Sequence, residues 1–134
     1  MITEALRLYS PVWILPRRAL AAVELGGYLL PAGSRIFFSP YALNRDAGVH
    51  RDPDRFDPGR WATGYSRSDL RATFFPFGQG ARNCIGEGFA WAESTLLLSA
   101  IAARWRLQLA DGAAVHPVSS TLVPSELPII VTRR

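Results

Sequence analysis

The chain has 134 residues, enough for one ordinary domain, and its single cysteine, Cys84, excludes an internal disulfide framework. Its formal charge is +4, and every one of the 15 basic residues is arginine. The arginines are scattered and often sit beside acids, as in "NRDAGVHRDPDRFDPGR", which argues for carboxylate pairing and against a nucleic-acid footprint.

In chain order, Ile2 to Tyr9 reads as a helix, with Glu4 and Arg7 one turn apart. Pro11 and Pro16 end it and force extended chain. The run "AVELGGYLLPAGSRIFF" alternates apolar and polar residues. Gly26-Gly27 between its two short runs predicts a hairpin, Pro31-Ala32-Gly33 turns again, and Arg35 to Phe38 is a further strand. A short helix is expected to open at Pro40. From Asp46 to Thr73 regular pattern fades into an irregular, aromatic-anchored segment, and a loop of that length is usually functional or wrapped on something. Phe89, Ala92, Leu96, Leu97, Ala100 and Ile101 recur at helical spacing, so Ile85 to Arg104 is expected to form an amphipathic helix. The chain is expected to close with strands at Arg106 to Leu109 and Ile129 to Thr132.

Cys84 sits in "FFPFGQGARNCIGEGFAWAE". A buried, inert thiol is the ordinary fate of a free cysteine. Here Gly78, Gly80 and Gly86 make the loop permissive and Pro76 stiffens its entrance. Such a loop can turn backbone N–H groups toward one sulfur, and the helix that follows adds the positive end of its dipole; both favour thiolate. That suits a nucleophile or a metal ligand. A zinc site lacks partners, since the other ligand candidates are only His50 and His116 and no CxxC pair exists. A cysteine hydrolase would need His116 close in space, and nothing else supports one. A dinucleotide loop fails because Asn83 stands at the third glycine position. A thiolate axial to a haem iron remains.

The spacing Phe77-x-x-Gly80-x-Arg82-x-Cys84-x-Gly86 resembles the haem-binding signature of the cytochrome P450 family at all five fixed positions. Glu4-x-x-Arg7 is similar to the family's Glu-x-x-Arg helix motif, and Pro53-Asp54-Arg55-Phe56 to its Pro-x-Arg-Phe element. Ser10 departs mildly, standing where many relatives have the first proline of a pair. The resemblance implies an α+β fold, mainly α in the whole family member. It comprises the C-terminal part: the end of the K helix, a small β hairpin, the meander, the Cys loop, the long L helix and a C-terminal β hairpin. On this reading residues 1–134 are a partial domain whose N-terminal two-thirds is absent, including the oxygen-activating helix.

The resemblance further implies haem b (iron protoporphyrin IX) with Cys84 as proximal iron ligand. Phe77 would pack near its sulfur, while Gly80 and Gly86 shape the loop. Arg82 would pair with one haem propionate and Arg17, ten residues after Arg7, with the other. Glu4, Arg7 and Arg55 would form the family's Glu-Arg-Arg network behind the haem. Val12, Trp13 and Ile14, with Leu122 and Val123, would line the substrate pocket. The implied activity is monooxygenation: insertion of one oxygen of O₂ into an apolar small molecule, with electrons from a ferredoxin or a reductase. The chain alone is expected to be inactive. A non-catalytic haem-binding or interaction remnant is the alternative. No apolar run here spans a bilayer and the opening residues are not a signal peptide, so a cytoplasmic, soluble bacterial type is expected, with any membrane anchor lying upstream.

Overall fold

The structure is a computed structural model and describes residues 1–62, 73–110, 117–118, 121–124 and 126–134. Helix α1 (Ile2–Leu8) opens the chain. Strands β1 (Leu15–Arg18), β2 (Val23–Leu25), β3 (Tyr28–Leu30) and β4 (Arg35–Phe38) follow, then the single turn of α2 (Pro40–Leu43). Pro58–Trp61 and Gly80–Arg82 form short 3-10 turns on either side of the cysteine segment's start. The long helix α3 (Glu87–Arg104) runs directly into β5 (Trp105–Leu109). Strands β6 (Pro117–Val118), β7 (Val123–Pro124) and β8 (Ile129–Arg133) complete the chain.

The strands form nested antiparallel hairpins. β1 pairs with β4 around the inner β2–β3 pair, and β5 pairs with β8 around β6–β7. Gly26 and Gly27 carry φ of 58° and 81° between Leu25 and Tyr28, a two-residue loop of the kind whose twist matches its strands. Leu15–Arg18 is a strand where the sequence predicted only extended chain. Pro16, opposite Phe37, removes one donor from the ladder, which an edge strand tolerates. The closing strands are each one residue longer than expected.

Helix α1 stops at Leu8, because Tyr9 leaves helical geometry at φ −128°. Seven residues cannot sustain a helix in water alone. Its stability comes from one face, where Glu4, Arg7 and Leu8 are buried. Among the described residues the buried set is therefore largely polar: Glu4, Arg7, Ser10, Asn44 and His50, beside the apolar Leu8, Ala19 and Pro40.

Helix α3 begins at Glu87, not at Ile85 as the apolar spacing predicted. The Cys84 N–H is bound to the Phe77 carbonyl at 2.9 Å, so the residues after it belong to the loop, and Gly86 takes the capping position. The helix is also not apolar along a single stripe. Leu97, Leu98 and Ile101 turn toward Ile2, Leu6 and Tyr9 of the α1 region across an apolar groove of about 470 Å³. Phe89 and Leu96 point elsewhere and are 71% and 70% exposed. A helix apolar on several sides is one built to be surrounded.

Candidate functional site

The site has two halves, a charged platform and a cysteine loop. In the platform the Arg7 guanidinium donates from Nε to Glu4 Oε2 at 3.0 Å and from Nη2 to Glu4 Oε1 at 2.9 Å. Its Nη1 reaches the carbonyls of Asn44 and Pro53, both at 2.6 Å, and Nη2 also reaches that of Arg55 at 3.1 Å. One buried side chain thus fixes three points of a loop that has little regular structure of its own. This forked geometry is what makes arginine suited to the position.

The other side of Glu4 is bound to Pro58–Trp61. Oε1 accepts the Asp57 N–H at 2.9 Å and Arg60 Nε at 3.0 Å, and Oε2 accepts Trp61 Nε1 at 2.8 Å. Burial by itself would raise the Glu4 pKa. The bonds from Arg7, the Asp57 N–H, Arg60 and Trp61 overcome that penalty and hold it at about 2, against 4.5 for a free carboxyl.

This corrects the expectation for Arg55. Its side chain is exposed, and it joins the network through its backbone carbonyl alone among the described contacts. The second arginine on Glu4 is Arg60. Pro58-Gly59-Arg60-Trp61 repeats the Pro-x-Arg-aromatic pattern of Pro53-Asp54-Arg55-Phe56 five positions later. The 3-10 turn, capped by Asp57 accepting from the Gly59 N–H, points the later arginine inward. The signal was present in the sequence, but two copies of it competed.

The cysteine loop is shaped by backbone. Gly78 and Gly80 have φ of 78° and 70°, values that favour glycine. The Gly78 N–H bonds the Phe75 carbonyl at 3.0 Å, and the Asn83 N–H bonds that of Gly80 at 3.1 Å. Cys84 is free and exposed. Gly86 lies beside it, and a Cβ there would meet the sulfur at 3.8 Å, an ordinary contact. The Phe77 ring stands edge-on to Trp91 of α3 at 5.9 Å. Glu87, in the first turn of α3, accepts from Asn83 Nδ2 at 2.6 Å and from Trp91 Nε1 at 3.4 Å. A single carboxylate therefore braces both flanks of the loop.

Aromatic pairs tie this loop to its surroundings. Phe74 packs on Trp61 at 5.0 Å, and Phe75 packs on Phe38 of β4 at 6.3 Å. The Arg17 guanidinium lies over the Phe38 ring at 5.2 Å and donates to its neighbour's carbonyl, that of Pro16. Arg82 is exposed, and its guanidinium has no bond or ion pair among the described residues. Among the described contacts these two arginines keep donors available for an anion.

Val12, Trp13 and Ile14 lie between α1 and β1, with Val12 exposed and the other two half-buried. Ser10 donates to the Val12 carbonyl at 3.2 Å, and Ser39 to that of Trp13 at 2.6 Å. The far end of the chain meets this segment: Val12 bridges Thr121, and the Leu122 N–H bonds the Pro11 carbonyl at 3.1 Å. Leu122 is half-buried there, and Val123 enters β7 opposite Val118. His116 lies outside the described residues.

The residues present fit a haem held through the Cys84 sulfur. The sulfur is exposed on a loop whose backbone satisfies itself, and Ile85 beside it is fully exposed, leaving apolar surface for a flat ligand to cover. Among the described residues no group of three His, Cys, Asp or Glu side chains could hold a metal ion by itself. None of their helices is long and apolar enough to cross a membrane.

Comparison with known proteins agrees with this geometry. The family model described as Cytochrome P450 matches residues 1–133. The chain is 43% identical over 117 residues to the Cyclooctatin synthase of Streptomyces melanosporofaciens, covering 87% of this chain and 26% of that protein. It is 41% identical over 136 residues to the Pentalenene oxygenase of Streptomyces avermitilis, covering 100% of this chain and 30% of that one. The retinoic acid-bound cyanobacterial CYP120A1 superposes with a TM-score of 0.90 at 25% identity, over 99% of this chain and 31% of its own. The chain thus spans between a quarter and a third of the length of these relatives.

Proposed function

The chain belongs to the cytochrome P450 family, and from that premise we propose that it carries the haem-thiolate half of a monooxygenase. Cys84 would hold the iron of haem b through its sulfur, and the whole protein would insert one oxygen of O₂ into an apolar organic substrate. The observation that carries this reading is the exposed Cys84 on a glycine-bent loop closed by its own backbone bonds, with Ile85 fully exposed beside it.

Haem, when bound, supplies the redox chemistry of iron, and thiolate ligation favours O–O cleavage. The chain's own residues do the rest of what this portion can do. Cys84 offers the sulfur that would hold the iron. Phe77, steadied by Trp91, limits water beside that sulfur, and Glu87 keeps both flanks of the loop in register. Arg82 and Arg17 hold the two propionates. Glu4, Arg7 and Arg60 keep the platform rigid beneath. Val12, Trp13, Ile14 and Leu122, with Val123, form one wall for substrate, closed by the contact between Val12 and Thr121. Relatives with names such as Pentalenene oxygenase point to a largely hydrocarbon substrate. Electrons come from a ferredoxin or a reductase.

The test is spectroscopic. The whole protein carrying this portion is supplied with haem b, reduced and exposed to carbon monoxide. The unsubstituted protein should give the red-shifted band that depends on thiolate, and Cys84→His should lose it. An unchanged spectrum after the substitution would overturn the assignment.

A further inference from the structure

The β1–β4 ladder has two unlike faces. Leu15, Arg17, Ile36 and Phe38 share one, and there the Arg17 guanidinium lies over the Phe38 ring. Pro16, Arg18, Arg35 and Phe37 share the other, and all four are exposed. This second face borders a groove of about 580 Å³, whose lining also takes in Gly33 and Arg17. Its size is that of a small-molecule site.

Arg18 and Arg35 stand directly opposite each other in the register. Like charges so placed repel and weaken a sheet. Neither guanidinium has a hydrogen bond or an ion pair among the described residues. The sequence offers little relief nearby. From position 5 to position 45 the one acidic residue is Glu24, on β2, and it makes no ion pair among the described residues. The head of Arg18 is turned toward the Pro31–Gly33 turn, where a Cβ on Gly33 would stand 3.6 Å from Arg18 Nη2. Beside the two arginines, Phe37 is 57% exposed and Pro16 is its cross-strand partner, so the same face continues as apolar surface.

A guanidinium fork bonds two oxygens of a phosphate at once, and a doubly charged phosphate answers both cations where a single carboxylate answers one. We propose that this face is a binding site for a phosphate monoester. The phosphate sits between Arg18 and Arg35, and the organic part lies on Phe37 and Pro16. The site is separate from the one assigned to haem, whose arginine on this strand, Arg17, belongs to the other face. Its failure would leave the haem reading untouched.

Calorimetric titration of the whole protein carrying this portion, at fixed ionic strength, tests the site with phenyl phosphate, inorganic phosphate and benzoate. At about pH 7.5 the phosphate probes are mostly doubly charged. Phenyl phosphate should bind one-to-one and saturate, with inorganic phosphate and benzoate each weaker. Arg18→Gln and Arg35→Gln should each weaken it by about tenfold. Phe37→Ala should bring phenyl phosphate down to the level of inorganic phosphate. Arg51→Gln removes an exposed arginine from a different segment and should change nothing. Absent or unsaturable binding overturns the proposal. So do equal losses across Arg18→Gln, Arg35→Gln and Arg51→Gln, which would mean diffuse charge attraction, and benzoate binding as tightly as phenyl phosphate. Should a variant fail to fold, the amide resonances of the unsubstituted protein decide. Shifts on adding phenyl phosphate that centre on residues 16–18 and 33–37 support the site, and shifts centred elsewhere overturn it.

Discussion

The platform and the α3 helix are opposites in how they are held. In the platform the buried Glu4 carboxylate and Arg7 guanidinium are met by partners on other segments as well as by each other. Along α3 no residue is buried, and large apolar side chains face outward on more than one side. The platform closes on itself with groups that seldom favour burial. The helix, rich in residues that do, is unfinished. Apolar content therefore does not locate the rigid part of this molecule; satisfied charge does. Burial of an ion pair is weak evidence of stability by itself, yet removing one partner from such a pair is costly.

The contrast is broken most strongly by Arg7→Ala. It strips two bonds from Glu4 and three from the carbonyls of the loop. The loss should be about 3–5 kcal/mol, a large share of the stability of a domain. Denaturant unfolding should show a collapsed or absent cooperative transition, and an unchanged midpoint would return the pair to surface status.

A sharper version compares two arginines five positions apart. Arg60→Ala removes a side chain from Glu4 and from the carbonyls of Arg51, Asp52 and Arg55, and should cost about 1.5–3 kcal/mol. Arg55→Ala keeps the backbone carbonyl that Arg7 uses and should stay within about 0.5 kcal/mol. Thermal melting of the two variants side by side measures the difference, and equal losses would mean that Arg55's side chain matters after all.

That pair also marks where the sequence stops being legible. Cysteine, arginine and glycine at fixed spacing announce the loop, because a metal ligand needs particular residue types at particular offsets. Gly26-Gly27 announces its hairpin for a similar local reason: both residues need positive φ. The choice between Arg55 and Arg60 is not local. It depends on a 3-10 turn capped by Asp57, and on that turn meeting a helix more than fifty positions earlier. His50 was equally opaque. Its burial comes from the aromatic and charged residues that fold over it, while its neighbours in sequence, "AGVHRD", read as plain loop. The start of α3 was misplaced for a smaller reason, since apolar spacing cannot see the bond from the Cys84 N–H to Phe77.

The smallest effect should come from the exposed side of α3. Phe89→Ser with Leu96→Gln removes two large apolar groups that touch little, and should change the unfolding free energy by no more than about 0.5 kcal/mol. Self-association, read by light scattering over a concentration series, should fall. A large loss of stability instead would mean that these side chains already support the fold.

Phe74 and Phe75 are consecutive in the chain, yet they grip different bodies: Trp61 in the platform and Phe38 in the β1–β4 pair. Any aromatic or large apolar residue could keep either grip. Deleting or inserting one residue just before Phe77 could not, because the two rings would exchange sides and the cysteine would be re-aimed. What is constrained along this stretch is its length more than its spelling. It serves as a spacer of fixed gauge between two anchors, and drift in residue identity should be far better tolerated there than any change in count.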